Sequence, residues 1–340
     1  MINVAILGGG FMGSAHANNY KALAGRVRVK TVASRSTERA RKVADLLGAE
    51  LATDVDAAIA DPEIDVVDVC LPTDLHREAA EKAFAAGKHV FLEKPIALTA
   101  EDADAIISAA ARSGRFFMVG LVLRFWPEYV ELERRLAAGE LGRPLAASAS
   151  RLSPPADWAD WFADFARSGG VPVDLLIHDF DQMNWLLGKP RTVYARASSL
   201  GNVSYPNHVL AIVEYDGAVG VAEGSMAMPG TYPFSSNIRV LAEGGVAEYS
   251  FRATPAEDGG NIGGVDPSTR GLRLYPRGGD QPEVVLLDPV DPWGPEIEYF
   301  ISCVERDRTP ERGTGEQARE ALLVSLAANR SLESGQPEPV

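Results

Sequence analysis

Residues Ile2–Leu7 read as a short apolar strand. It runs directly into Gly8-Gly-Gly10-Phe11-Met12-Gly13 and then into the helical pattern Ser14–Ala24. This order of strand, glycine turn and helix constrains the fold more than any other stretch. Each glycine of a G-x-G-x-x-G turn has its own steric task. Gly8 permits the tight turn off the strand, Gly10 lets the backbone approach a pyrophosphate without a Cβ in the way, and Gly13 lets the helix pack closely on the sheet. The amides at the start of the helix, those of Phe11 and Met12 among them, favour an anionic group. The segment predicts a dinucleotide site on a parallel sheet.

The pattern continues as strand and helix in alternation. Strand-like runs at Val27–Ala33, Asp65–Leu71, His89–Leu92 and Phe116–Val119 are separated by helical patterns at Thr37–Leu47, Leu75–Ala86 and Thr99–Arg112. Alternation of this kind implies right-handed crossovers and a doubly wound sheet, with ligands beyond the carboxyl ends of the strands. That places Gly8–Gly13, Ser34–Ser36, Pro72–His76 and Glu93-Lys94-Pro95 along one edge. Near Gly120 the pattern changes. After a helix at 127–138 the chain turns strand-rich, with runs at 192–199, 208–215, 219–226, 238–242 and 247–251. Asp216-Gly217 and Gly244-Gly245 are hairpin signals. The second half therefore reads as a largely antiparallel sheet, followed by a flexible loop at Glu257–Gly264 and helices at 294–306 and 316–334. The expected domains are 1–121 and 122–340, an ordinary division for 340 residues.

Composition narrows the function classes. With 46% hydrophobic and 24% charged residues the chain is of globular type, and a net charge of −14 argues against a nucleic-acid or anionic-membrane partner. Cys70 and Cys303 each lie in an apolar run, so both are expected as reduced core residues. A strand at the very start leaves no room for a signal peptide, and a cytoplasmic location is expected.

A second chemical constellation lies at Gly169–Gly188, which reads as one helix with a glycine C-cap. At helical spacing Asp174, His178, Asp181 and Trp185 share a face, while Leu176, Phe180, Met183 and Leu187 form the opposite apolar stripe. Asp174 is placed to orient His178, which is suited to proton transfer near neutral pH. Two blander readings stand beside this one: a satisfied polar helix face, and a metal site, which a second nearby histidine or cysteine would be needed to support. Glu93-Lys94-Pro95 has its own bland reading as a solvated turn after a strand.

Taken together, Gly8–Gly13, Leu71-Pro72-Thr73-x-x-His76, Glu93-Lys94-Pro95, Gly169-Gly170 and Asp174-x3-His178 resemble the Gfo/Idh/MocA oxidoreductases, the glucose–fructose oxidoreductase and inositol dehydrogenase group. The resemblance covers nearly the whole chain. It implies an N-terminal Rossmann domain, a C-terminal α+β domain with a large open sheet that mediates homodimers or homotetramers, and a nicotinamide cofactor. Carried over, Lys94, Asp174 and His178 become the catalytic residues, on a sugar or cyclic polyol. Leu71, Pro72, Thr73, His76, Glu93, Lys94, Pro95 and Arg124 join the glycine turn on the cofactor side. Where relatives carry a GFNRR-like segment this chain reads Gly120-Leu-Val-Leu-Arg124-Phe-Trp126, so its polar substrate contacts differ. Trp126, Trp158, Trp161 and Arg151 are candidates for a sugar pocket, alongside Lys94, Asp174 and His178. No resident metal is expected. A non-catalytic nucleotide-binding sensor and an NAD-dependent glycosidase are the alternative functions on this fold.

The tip of the second strand bears on the choice of nicotinamide. NAD sites place an acid about 20 residues after the glycine motif, on the ribose 2′-hydroxyl. Here the strand ends in Ser34-Arg35-Ser36, with Arg39 one turn further on. These groups attract a 2′-phosphate where an acid would repel it. NADP is therefore expected ahead of NAD. Ser36 or Thr37 also suits the N-cap of the next helix, a role compatible with either cofactor.

Overall fold

A computed structural model describes residues 1–156, 160–201, 205–254 and 264–340. Trp158 lies outside these residues, as does the expected loop at 257–264 apart from Gly264.

The chain opens with β1 (Ile2–Leu7), α1 (Phe11–Ala22), β2 (Val27–Ala33), α2 (Thr37–Leu47), β3 (Glu50–Ala52), α3 (Val55–Ala60), β4 (Val66–Val69), α4 (His76–Ala85), β5 (His89–Glu93), α5 (Ala100–Ser113) and β6 (Phe117–Gly120). The strands form one parallel six-stranded sheet in the order β3-β2-β1-β4-β5-β6. Val4, Ala5, Ile6 and Leu7 are all fully buried. That is the continuous apolar run expected of a strand covered by helices on both faces. The strand order reverses between β1 and β4, so a ligand crevice belongs beyond Leu7 and Val69.

Next come α6 (Pro127–Ala137), β7 (Pro144–Leu152), α7 (Phe165–Ser168), α8 (Gly170–Asp174), α9 (Ile177–Leu187), β8 (Pro190–Ser198), β9 (His208–Tyr215), β10 (Ala218–Ser225), β11 (Ser235–Ala242), β12 (Gly245–Thr254), β13 (Gly264–Val265), β14 (Leu272–Pro276) and β15 (Glu283–Val285). The chain closes with α10 (Gly294–Glu305), α11 (Gly315–Ser334) and β16 (Glu338–Pro339). The second sheet runs β15-β14-β12-β11-β7-β10-β9-β8-β16, with β13 beside β12. Only the β7–β10 pairing is parallel among the described ones, so the sheet is mostly antiparallel, as expected. Its strands alternate. In β9, Val209, Ala211 and Val213 are buried while Leu210, Ile212 and Glu214 face out.

The expected single helix over 169–188 is two, α8 and α9, broken at Leu175–Leu176. The Leu176 N–H reaches back to Val171 O at 2.9 Å, a wide turn of π type. Close packing on the sheet accompanies the break. A Cβ added at Gly224 would stand 2.6 Å from the Leu176 side chain, and one at Gly220 would stand 2.6 Å from Met183 Sδ. Two glycines on one face of β10 thus form the seats on which the broken helix rests.

The chain divides into two compact units, Met1–Phe125 with Val290–Arg319, and Trp126–Pro289 with Glu320–Val340. This differs from the expected 1–121 and 122–340 chiefly in the return of 290–319 to the first unit. Hydrophobic packing accounts for the return. Ile297, Phe300 and Ile301 of α10 are buried in a core with Phe91, Met118 and Phe125, and the Phe300 ring stacks on Phe91 at 5.6 Å. Arg26 adds ion pairs to Glu305 at 2.6 Å and Glu298 at 3.0 Å. Among the described residues no helix is long and apolar enough to cross a membrane. Cys70 and Cys303 are free thiols.

Candidate active site

The glycine turn is shaped by contact as well as by torsion. Gly8 has φ +109, and a Cβ there would stand 2.3 Å from Cys70 O. A Cβ at Gly13 would stand 2.0 Å from Gly8 O, whereas one at Gly10 would meet nothing within 4 Å. The turn is therefore tight against β4 and α1 and open only at Gly10. Helix α1 starts at Phe11 with Gly10 as an N-cap that makes no side-chain capping bond and with no acid in its first turn. The amides of its first turn lie at the positive end of the helix dipole. These residues fit the pyrophosphate of a dinucleotide. At the tip of β2, Arg35, Ser36 and Arg39 are exposed. Ser36 is the N-cap of α2, but the capping-type bond belongs to Ser34, whose hydroxyl accepts the Ser36 N–H at 3.2 Å.

At the end of β5 the half-buried Lys94 precedes Pro95 through a cis bond. Two neighbours assigned to the cofactor by resemblance are committed elsewhere. His76 is buried, with Nδ1 2.8 Å from Pro95 O and Nε2 2.8 Å from Leu71 O. It is a brace between the segments that follow β4 and β5. Burial disfavours its cation and sets its pKa below the ordinary histidine value, although both carbonyls oppose that. Glu93 is buried too. Its Oε1 lies 3.0 Å from His16 Nε2, and its Oε2 accepts the Lys94 backbone N–H at 3.1 Å. The other ring nitrogen of His16 lies 2.8 Å from Asp68 Oδ2. Arg124 is buried in a turn after β6, while Leu71 and Pro72 are half-buried and Thr73 is buried.

In the second unit Asp174 ends α8 and is buried, while His178 lies in the first turn of α9 and is half-buried. The backbone stays in the right-handed helical region at Leu175 and Leu176. Asp181 is buried on α9, and Trp185 lines a shallow cavity with Glu133, Leu136 and Pro144. Arg151, expected at the substrate, is instead bonded through Nε and Nη2 to the Asp179 carboxylate at 2.8 and 3.1 Å, both residues being buried. Trp126 is buried among Tyr129, Tyr249 and Phe251, with ring centroids 5.1 to 6.4 Å away. Offset and edge-on aromatic pairs of this kind account for its place in the core. Trp161 remains half-buried, stacked on Phe162 at 4.0 Å.

Two family models match in succession. The NAD-binding Rossmann model of the oxidoreductase family covers residues 2–121, and the GFO/IDH/MocA C-terminal domain model covers 129–248. The chain belongs to the GFO/IDH/MocA oxidoreductase family. It is 29% identical to scyllo-inositol 2-dehydrogenase (NAD(+)) of Bacillus subtilis over 99% of this chain and 95% of that one. It is 30% identical to D-xylose 1-dehydrogenase (NADP(+)) 2 of Haloferax volcanii over 89% of each. The crystal structure of a candidate myo-inositol dehydrogenase from Sinorhizobium meliloti 1021 superposes with a TM-score of 0.81 at 27% identity, covering 100% of both chains.

As a GFO/IDH/MocA oxidoreductase the protein carries the expected nucleotide-binding fold, but it also carries a feature that sequence reading missed. His16, Asp68, Cys70 and Glu93 meet under the carboxyl ends of β4 and β5, and Glu296 of α10 joins them. A signal for it existed. Asp68 in VVDVC and Glu93 in VFLE are acids inside strands that are otherwise apolar. Such residues are almost never fully buried unless paired.

Proposed function

We propose that this oxidoreductase oxidises a secondary alcohol of a sugar or cyclic polyol, or reduces the matching carbonyl, with NADP preferred over NAD. The glycine turn carries the reading: it is open only at Gly10, at the N-terminus of α1, in a family whose relatives are named for inositol and xylose. A bound nicotinamide supplies the hydride chemistry. Lys94 donates a hydrogen bond to the reacting oxygen and stabilises its alkoxide charge. His178 takes the hydroxyl proton in oxidation and returns it in reduction, and Asp174 orients the imidazole. Trp161, half-buried and aromatic, is retained as a candidate for the apolar face of the sugar. The two free cysteines accord with a reducing, cytoplasmic compartment.

The deciding experiment is a polyol and sugar panel, read by absorbance of the reduced nicotinamide at two pH values, on the wild type and two variants. Lys94→Ala and His178→Ala should each lower kcat by on the order of 10²-fold, with cofactor affinity changed much less. Near-normal turnover in either variant would sink the assignment. A wild type that binds the cofactor but turns over nothing in the panel would point to a sensor. Cleavage of p-nitrophenyl glycosides with retained NAD would point to a glycosidase.

For assembly, we propose a homodimer or homotetramer built on the outer face of the second sheet, where Leu210, Ile212, Val219 and Val221 are exposed side by side. Light scattering at micromolar concentration tests it, and a monomer would refute it.

A further inference from the structure

His16 has a carboxylate oxygen at each ring nitrogen, Asp68 Oδ2 at 2.8 Å and Glu93 Oε1 at 3.0 Å. With Asp68 and Glu93 ionised neither has a hydrogen to give, so both nitrogens donate and the ring is an imidazolium. Burial disfavours that cation, but Asp68 and Cys70 more than reverse the effect and hold its pKa well above the ordinary histidine value. Glu296 is the remaining acid. It is fully buried, and no donor reaches either carboxyl oxygen. It faces Glu93 across Gly120: a Cβ on that glycine would stand 3.2 Å from Glu93 Oε1 and 3.7 Å from Glu296 Oε2. With all three acids ionised, His16 would offset only one of three buried negative charges. Removing one charge by protonation is the least costly remedy. Asp68 accepts from His16, and Glu93 accepts from both His16 and the Lys94 amide. Glu296 alone has no donor aimed at it, so it is the acid that keeps the proton.

We propose that Glu296 is a neutral acid that donates to Glu93, and that Glu296, His16 and Asp68 together fix Glu93 as the positioning residue for Lys94. The proton shared between Glu296 and Glu93 and the fixed charge on His16 hold the Glu93 carboxylate in one orientation. Its Oε2 in turn holds the backbone amide of Lys94. The groups facing Glu296 are Glu93 on β5, His16 and Tyr20 on α1, Asp68 on β4 and Asp291 ahead of α10; none but His16 is a cation. Burial first, and the Glu93 carboxylate next, raise the Glu296 pKa well above the ordinary range, in keeping with the neutral form. The rival occupant is a metal ion, since ligand atoms of His16, Glu93 and Glu296 lie within 4.8 Å of one another. The 3.0 Å approach of His16 to Glu93 is already a hydrogen bond, which favours the proton.

This inference rests on the reading of Lys94 as the lysine of the reaction, and the test separates the two. Infrared spectra of the whole protein in neutral buffer should show the C=O stretch of a protonated carboxyl, and Glu296→Gln should remove it. This arm needs no turnover and decides the matter if other variants do not fold. In kinetics, Glu296→Leu should lower kcat by on the order of 10-fold with KM little changed, because Lys94 is displaced while the substrate pocket is kept. Glu296→Gln, which keeps a donor towards Glu93, should recover most of that loss. The proposal is overturned by an unchanged carboxyl band in Glu296→Gln, by a glutamine variant as impaired as the leucine one, or by one equivalent of metal in chelator-washed protein. Each of these can occur while Lys94→Ala still lowers kcat as expected, and the carboxyl band can appear even if Lys94→Ala leaves turnover intact.

Discussion

In the second unit Arg151 and Asp179 are buried as a matched pair. Two hydrogen bonds join them, the guanidinium lies over the Phe234 ring at 5.9 Å, and the charges match one to one. Burial disfavours the Arg151 cation, and the Asp179 carboxylate more than restores it. The cluster beneath Lys94 in the first unit is built differently. His16 is one base among three acids, and no donor reaches Glu296. A matched pair holds its own two elements, β7 and α9, with Tyr129 of α6 as a further neighbour of Arg151. An unmatched cluster has to hold a proton, and its geometry depends on that proton staying. The difference separates buried charge that serves the fold from buried charge that serves a neighbouring group.

Breaking the matched pair on one side gives the largest expected effect. Asp179→Ala leaves a buried guanidinium without its counter-charge, at a cost of about 3–5 kcal/mol. Denaturant unfolding checks this. The double replacement Arg151→Met, Asp179→Leu should recover most of the loss, because no charge is then left buried. If the double variant is as unstable as the single one, the pair has a role beyond holding β7 to α9.

The unmatched cluster makes a different prediction, in pH. His16 and Glu296 both keep protons in the folded state that they release on unfolding, so the folded state binds more protons and stability falls as pH rises. Glu296 contributes from the ordinary carboxylate range upwards, and His16 from about pH 6.5 upwards, until each folded pKa is passed. Each proton carries a slope of at most about 1.4 kcal/mol per pH unit. His76 acts the other way. Its lowered pKa means that stability is lost as pH falls below the ordinary histidine value, and it adds nothing above that. Above the ordinary carboxylate range, until the folded pKa of Glu296 is passed, the wild type should therefore lose stability with a steeper slope than Glu296→Gln. Parallel slopes in the two proteins would show that Glu296 holds no extra proton.

The same contrast explains which parts of the molecule were legible from sequence. Gly8–Gly13 and the strand–helix alternation were readable because local sterics and hydrophobic period dictate them. The Asp174-x3-His178 spacing was readable for the same reason, though the break at Leu175–Leu176 was not. That break is seated on Gly220 and Gly224, which lie far along the chain. β7 was missed because PLAASASRL is poor in β-branched and aromatic residues, and its place between β10 and β11 is set by partners. Likewise the return of α10 is written only as an amphipathic helix. Nothing local says that Phe300 will meet Phe91. The charged cluster draws on α1, β4, β5 and α10, so sequence could show that Asp68 and Glu93 were unusual but not what they met.

The smallest expected effect concerns charge left outside. At the tip of β2, Arg35, Ser36 and Arg39 are exposed, and no acid stands in the stretch Ser34–Thr37. Arg35 contrasts with both buried sets, since a charge kept in water can take a partner that arrives from solution. A 2′-phosphate is such a partner: Arg35 can pair with it in two-pronged fashion, and the Ser34 and Ser36 hydroxyls can donate to it. The reading also accommodates the capping geometry, because Ser36 is the N-cap of α2 without using its side chain for the cap. Solvent screens an exposed pair, so Arg35→Ala should weaken NADP by only about 1–2 kcal/mol, on the order of 10-fold in kcat/KM, and leave NAD nearly unchanged. The measurement is the ratio of kcat/KM for the two cofactors in the wild type and the variant. A wild type that prefers NAD, or an Arg35→Ala variant with undiminished use of NADP, would reduce Ser34–Ser36 to the cap of a helix.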